Sequence, residues 1–215
     1  YVDAAVTASA TSIDGMDTYT FTAMPKGTAT SIYTIFGSST SDMVVPSAYQ
    51  CPDPFGSNVG GTNELFWAVA NSAATGFSQY DSWLTVGITT GNEAGLISKI
   101  GIEFDTWSDT IGLVSAANSG GAVFWMDPGG GPSSTAVVAQ ITTDGTFSAT
   151  INAQGKSTSG DDWQARGITF DFSGGGGGIA VDADMLMGAP DGTCYYMSPP
   201  DQSATWFDAR DTCAG

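Results

Sequence analysis

Twenty-two carboxylates and no histidine define the chemistry open to this chain. Without an imidazole the commonest general base is missing, and with it the Ser–His and Cys–His nucleophile systems. Paired carboxylates remain, as in glycoside hydrolysis, where two acids flank a cleft. The candidates are Glu103 with Asp105, two residues apart, and Asp81 close to Trp83. Among so many acids such pairs arise by chance, so a solvated strand face is the plainer reading, and no catalytic residue is expected.

Acidic loops can also hold a hard cation, because Ca²⁺ and Mg²⁺ favour carboxylate and carbonyl oxygens. Asp14 with Asp17, Asp161 with Asp162, and Asp182 with Asp184 are the places where a weak Ca²⁺ or Mg²⁺ site could form. None matches an EF-hand, and turn chemistry, in which Asp bonds its own backbone, accounts for them equally well. No cofactor or metal is otherwise expected. The three cysteines, Cys51, Cys194 and Cys213, form no CxxC motif. A Cys194–Cys213 disulfide closing a short loop is one reading and three free thiols another. Gly120-Gly121 and Gly129-Gly130-Gly131 are not set between a strand and a helix as a phosphate loop requires, and read as turns.

Aromatic platforms are a third kind of chemistry, since flat rings grip sugars and protein partners alike. Trp125 lies in an apolar run, Ala122–Met126, and is expected in the core, whereas Trp107 and Trp163 lie in polar stretches and are expected at the surface.

These residues need a scaffold, and the composition provides one. Apolar residues make up 41% of the 215 positions and aromatics 11%, enough for a real core. Charged residues make up only 13%, about half the usual share. The net charge is −17, with five basic residues, Lys26, Lys99, Lys156, Arg166 and Arg210. So few cations leave no patch to grip phosphates or anionic lipid, so neither nucleic acid nor membrane insertion is expected. The chain, opening at Tyr1, is expected to be a processed mature form.

Short β-branched and aromatic runs alternate with Gly, Pro, Asp and Ser clusters, which predicts an all-β, antiparallel sandwich or barrel-like domain. Strands are expected over 18–23, 31–36, 42–45, 83–88, 97–104, 122–126, 136–142, 147–153, 167–172 and 179–183. Tyr19, Phe21 and Ala23 alternate with Thr20 and Thr22, and Ile100, Ile102 and Phe104 with Gly101 and Glu103, so each run should have one apolar face. One short helix is expected over 63–72, capped by Asn63.

Five consecutive glycines, 174–178, read as a connector between a main domain, 1–173, and a C-terminal extension, 179–215. The extension is rich in aromatics, with Tyr195, Tyr196, Trp206 and Phe207. It is expected to act as a contact element, because it is too short to own a core.

Several runs carry a family resemblance: Ala48–Asn63 (AYQCPDPFGSNVGGTN), Gln79–Ile88 (QYDSWLTVGI), Ile100–Trp107 (IGIEFDTW), Gly121–Pro128 (GAVFWMDP), Val137–Ile141 (VVAQI) and Gln154–Phe170 (QGKSTSGDDWQARGITF). Together they resemble a β-rich domain of diatoms and other marine algae, with looser marine bacterial relatives, over roughly residues 17–172. Within that group the chain resembles the diatom pyrenoid shell family, whose members tile into a sheet around the Rubisco condensate. The resemblance implies a structural role in the plastid stroma and carries over no catalytic residue.

The expectation is therefore a non-enzymatic, homo-oligomeric structural protein that assembles into a shell, sheet or filament. Its contact candidates are Trp107, Trp163, Trp206, Phe207, Tyr195 and Tyr196. The alternative is an extracellular or cell-surface carbohydrate-binding or adhesion module, and a glycoside hydrolase stands third.

Overall fold

Tyr19, Phe21 and Ala23 point inward and Thr20 and Thr22 stand half-buried between them, so the period-two pattern of this segment becomes a strand with one apolar face. It is β2 (Asp17–Pro25) in the computed structural model, which describes residues 1–114 and 120–172 together with the strand segments 186–188, 194–196 and 207–208. Preceding it, β1 (Val2–Ala10) pairs with β2 residue for residue, from Val2 opposite Pro25 to Ala10 opposite Asp17. No strand was expected in β1, whose Ala, Thr and Ser residues give no apolar alternation; its register against β2 forms it.

The chain divides into two units, 1–174 and 175–215. The first is built of antiparallel sheets, as the alternation predicts. Its four-stranded sheet runs β1, β2, β11 (Ala136–Thr143) and β7 (Trp83–Leu84). The seven-stranded sheet contains β3 (Thr34–Gly37), β4 (Val44–Val45), β8 (Ile97–Ile100), β9 (Leu113–Val114), β10 (Gly121–Trp125), β12 (Phe147–Lys156) and β13 (Asp162–Phe172). Its order is β8, β10, β3, β12, β4, β9, with β13 also paired to β12. A small hairpin, β5 (Asn71–Ser72) with β6 (Gly76–Phe77), completes the unit.

Between the two large sheets, Phe21 of β2 stacks on Phe170 of β13 at 4.8 Å, and Tyr19 meets Phe147 and Phe172 at 4.9 and 4.5 Å. Ile35, Met43, Leu84, Leu113, Val123, Ile141 and Ile151 are fully enclosed around them. Burying each such side chain stabilises the fold by about 1.5–3 kcal/mol.

Several expectations are corrected, among them the strands over 31–36 and 42–45, which are Thr34–Gly37 and Val44–Val45. The strand over 97–104 stops at Ile100, because Gly101 adopts φ +66 and breaks the alternation. Ile100 is consequently 67% exposed, while Ile102 and Phe104 turn inward and 104–106 forms a 3-10 turn. The helix over 63–72 shrinks to α1 (Glu64–Trp67), capped by the Asn63 side chain on Leu65 N–H at 2.9 Å. None of its residues is buried, so no packed face extends it, and Asn71 and Ser72 pair into the hairpin instead. The strand over 83–88 keeps only Trp83–Leu84, since Gly87 turns the chain at φ +84. Conversely, β13 begins five residues before the expected 167.

In the second unit, β14 (Leu186–Gly188), β15 (Cys194–Tyr196) and β16 (Phe207–Asp208) form an antiparallel sheet in that order. The strand expected over 179–183, the glycine run, Trp206 and Cys213 lie outside the described residues.

Candidate functional site

Of the acids singled out by type, Asp81 has the most unusual environment. It follows a 3-10 turn (Ser78–Tyr80), stands two residues before the start of β7 and is 1% exposed. One carboxylate oxygen accepts Cys51 N–H at 2.7 Å, the other accepts Ser57 N–H at 2.6 Å, and Ser82 N–H donates as well. Burial pushes the carboxyl up to about 7, against the downward pull of these three donors. Beside it, burial pushes the Cys51 thiol up to about 11 and the Tyr49 phenol up to about 12, and the Tyr49 oxygen accepts Phe77 N–H at 2.9 Å.

This cluster organises a loop. Both Asp81 oxygens are spent on backbone donors, and the thiol is buried in its protonated form, which makes it a poor nucleophile. The Pro- and Gly-rich segment 51–57 cannot pair as a strand, and Asp81 supplies the acceptors its amides lack. Glu103 and Asp105 stand exposed around the 3-10 turn after β8 and not on one strand face. Among the described residues no group of three or more His, Cys, Asp or Glu converges to hold a metal ion. Asp162 pairs with Lys156 at 2.7 Å, and Asp161 accepts from Ser159.

A second enclosed polar residue, Asn152 of β12, ties another turn down. Its Nδ2 donates to Phe36 O and Ser41 O at 2.9 and 2.8 Å, and its Oδ1 accepts Ser41 Oγ at 2.6 Å and Gly167 N–H at 3.0 Å. The amide is thereby satisfied on all sides. It sits where β13 bulges, with Ile151 opposite Ile168 but Ala153 opposite Ala165.

The tryptophans expected at the surface are inside. Trp107 is 3% exposed and Trp163 5%, and their indole N–H groups donate to Pro46 O at 2.8 Å and Lys156 O at 2.9 Å. A ring that large gains more by burial than a polar neighbourhood costs it, once its N–H finds a carbonyl. Trp125, expected in the core, packs half-buried against it and donates to Val86 O.

The surface is instead apolar at places the sequence did not flag. At one end of the seven-stranded sheet, Ile100 of β8 is exposed with Leu96 and Met126, which are linked by a Met126 N–H bond to Leu96 O. On the separate branch formed by β4 and β9, Val44 and Val114 face each other, exposed with Ile111. α1 adds Leu65, 77% exposed, with Val69 and with Phe66, whose ring meets Phe55 edge-on at 5.6 Å. Only the register, and the turn at Gly101, reveal these side chains as exposed; as isolated residue types they are indistinguishable from core.

The described cations are largely engaged within the chain. Lys26 pairs with Asp3, Lys156 with Asp162, Arg166 bonds Ser38 and Thr40, and Lys99 lies over the Phe104 ring at 4.7 Å. Comparison with known protein families, curated proteins and solved structures finds no match. No helix among the described residues is long and apolar enough to cross a membrane.

Proposed function

We propose that the chain is a structural subunit that associates with copies of itself into a sheet, shell or filament. The observation that carries this reading is the exposed apolar side chains where the strand path of the seven-stranded sheet ends, Ile100 on β8 with the neighbouring Leu96 and Met126, and Val114 on β9 with Val44 of β4 and the neighbouring Ile111. Terminal strands offer unpaired backbone groups, and apolar side chains beside them favour a second copy over water. Two different edges meeting give a head-to-tail contact that propagates. The resemblance to the diatom pyrenoid shell family supplies a setting, a protein layer around the Rubisco condensate of the plastid. The 175–215 unit, with Tyr195, Tyr196 and Phe207 on its strands, is a further contact element in this reading.

The test is light scattering and negative-stain microscopy across a salt series. A charge of −17 makes copies repel, and exposed charges more than about 10 Å apart are largely screened at about 0.1 M salt. Ordered assemblies should therefore grow with added salt. Ile100→Asp or Val114→Asp should abolish them while leaving the β-type circular dichroism intact, and a chain ending at Gly174 should stay folded because its core lies within that unit. A monodisperse monomer at high concentration and moderate salt would overturn the proposal, as would assemblies that dissolve when salt is added.

A further inference from the structure

A concave feature lies where β1 and β13 begin. The Tyr1 ring stacks parallel on Trp163, at 6.1 Å between centroids and 8° between planes, and remains 61% exposed. Trp163 is a fixed floor, enclosed and locked by its indole N–H to Lys156 O, and Tyr1 is held by the Lys26 N–H bond to its carbonyl at 2.7 Å. Around this aromatic pair opens a depression of about 490 Å³, within the size range of small-ligand sites.

Its rim is polar and pre-ordered. Ser157 and Ser159 share a hydroxyl bond at 2.8 Å, and Ser159 passes its proton toward Asp161 Oδ2 at 2.8 Å. The turn that carries them is closed by Ser157 N–H to Asp161 O and Gly160 N–H to Ser157 O, and is fastened to the neighbouring strand connection by Thr158 N–H to Thr28 O. Gln164 lines the same side, its Nε2 donating to Gln154 Oε1 at 2.9 Å and its Oε1 accepting from Arg166 at 3.3 Å, which fixes the amide in place.

We infer that this depression binds a neutral carbohydrate. A sugar ring has an apolar C–H face that stacks on an aromatic plane and a girdle of hydroxyls that pair with hydroxyls, amides and carboxylates, and the depression offers both. Lys156 and Asp162 offset each other as an ion pair and Arg166 is engaged by Gln164, Ser38 and Thr40, so the Asp161 carboxylate is the charge left at the rim and disfavours sulfated or uronic sugars and phosphate esters. Uncharged hexose chains are the class left. This site is independent of the edges proposed for assembly.

The experiment is amide and indole NMR of the full chain, titrated with a panel of neutral α- and β-linked hexose oligosaccharides and with dextran sulfate. At least one neutral oligosaccharide should shift the amides of 157–164 and the Trp163 indole N–H. Tyr1→Ala should weaken that binding about tenfold, the value of one aromatic stacking contact, and Gln164→Ala should weaken it as well. Both residues lie outside the core, so the rest of the spectrum should be unchanged. The proposal fails if no neutral sugar moves these resonances at tens of millimolar, if the shifts map elsewhere, if Tyr1→Ala binds as the parent does, or if dextran sulfate binds more tightly than the neutral chains.

Discussion

Asp81 and Asn152 are both enclosed polar side chains that fasten an irregular segment to the sheet beneath it, and they do so with opposite chemistry. Asn152 carries two donors and two acceptor sites and meets each with a partner, from Phe36 and Ser41 on one side to Gly167 on the other. Nothing in that arrangement titrates. Asp81 turns its oxygens to the amides of Cys51, Ser57 and Ser82, and does so as a buried carboxyl that burial raises to about 7. A loop that turns the amides at its two ends, Cys51 and Ser57, toward one point needs an acceptor there, and the cost is a hold that depends on pH. A junction that presents the Phe36 and Ser41 carbonyls on one side and the Gly167 amide on the other is served by an amide side chain, which holds at any pH.

The largest expected effect is at the neutral hub. Asn152→Ala takes the partner from two part-buried carbonyls and the Gly167 amide and opens a hole at a fully enclosed site, and should destabilise the first unit by about 3–5 kcal/mol. Denaturant unfolding at pH 5 and pH 8 should give the same loss at both; a loss that varies with pH would break the contrast.

The next effect is at the acid. The folded-state carboxyl of Asp81 lies above its unfolded value of about 3.9, so the fold prefers the protonated form. Its contribution is fully present below about pH 4 and is lost as pH rises through about 7, a change of roughly 2–4 kcal/mol. Asp81→Asn removes that slope. The variant should be less stable than the parent at pH 5 by about 1–3 kcal/mol, because its NH₂ group faces a backbone N–H. It should draw level with the parent or pass it at pH 8. Parallel curves for parent and variant would rule the titration out.

Gly167, whose N–H completes the Asn152 hub, should give the smallest change. Its φ is +65 and a methyl group there would meet nothing within 4 Å, so Gly167→Ala adds backbone strain alone, about 1–2 kcal/mol. A larger loss in thermal unfolding would mean that the hub itself had moved.

Much of the scaffold was legible in the sequence. The alternation in 18–23 places Tyr19 and Phe21 in the core, and the runs over 136–142 and 147–153 become long paired strands. β1 was illegible because its Ala, Thr and Ser residues follow from pairing and not from burial. Ile100 was misassigned because Gly101 at positive φ breaks the alternation, so Ile100 faces away from Ile102 and Phe104 while Ile97 stays buried. Asp81 could not be told from the other acids by type, yet the runs Ala48–Asn63 and Gln79–Ile88, which carry the family resemblance, are the two that meet on its carboxylate. For the tryptophans, polarity of the neighbouring residues proved a poor guide to where a large ring packs.

The ladder between β1 and β2 has a mechanical consequence. A pull on Val2 away from Pro25 loads the open end of a hairpin, so its rungs break in succession, each under the full load in turn. β12 is gripped by β13 along one edge and by β3 and β4 along the other, so a pull along its axis must shear many bonds together. Under tension the unit gives way first by peeling at β1, while the strand that bears Asn152 stays seated.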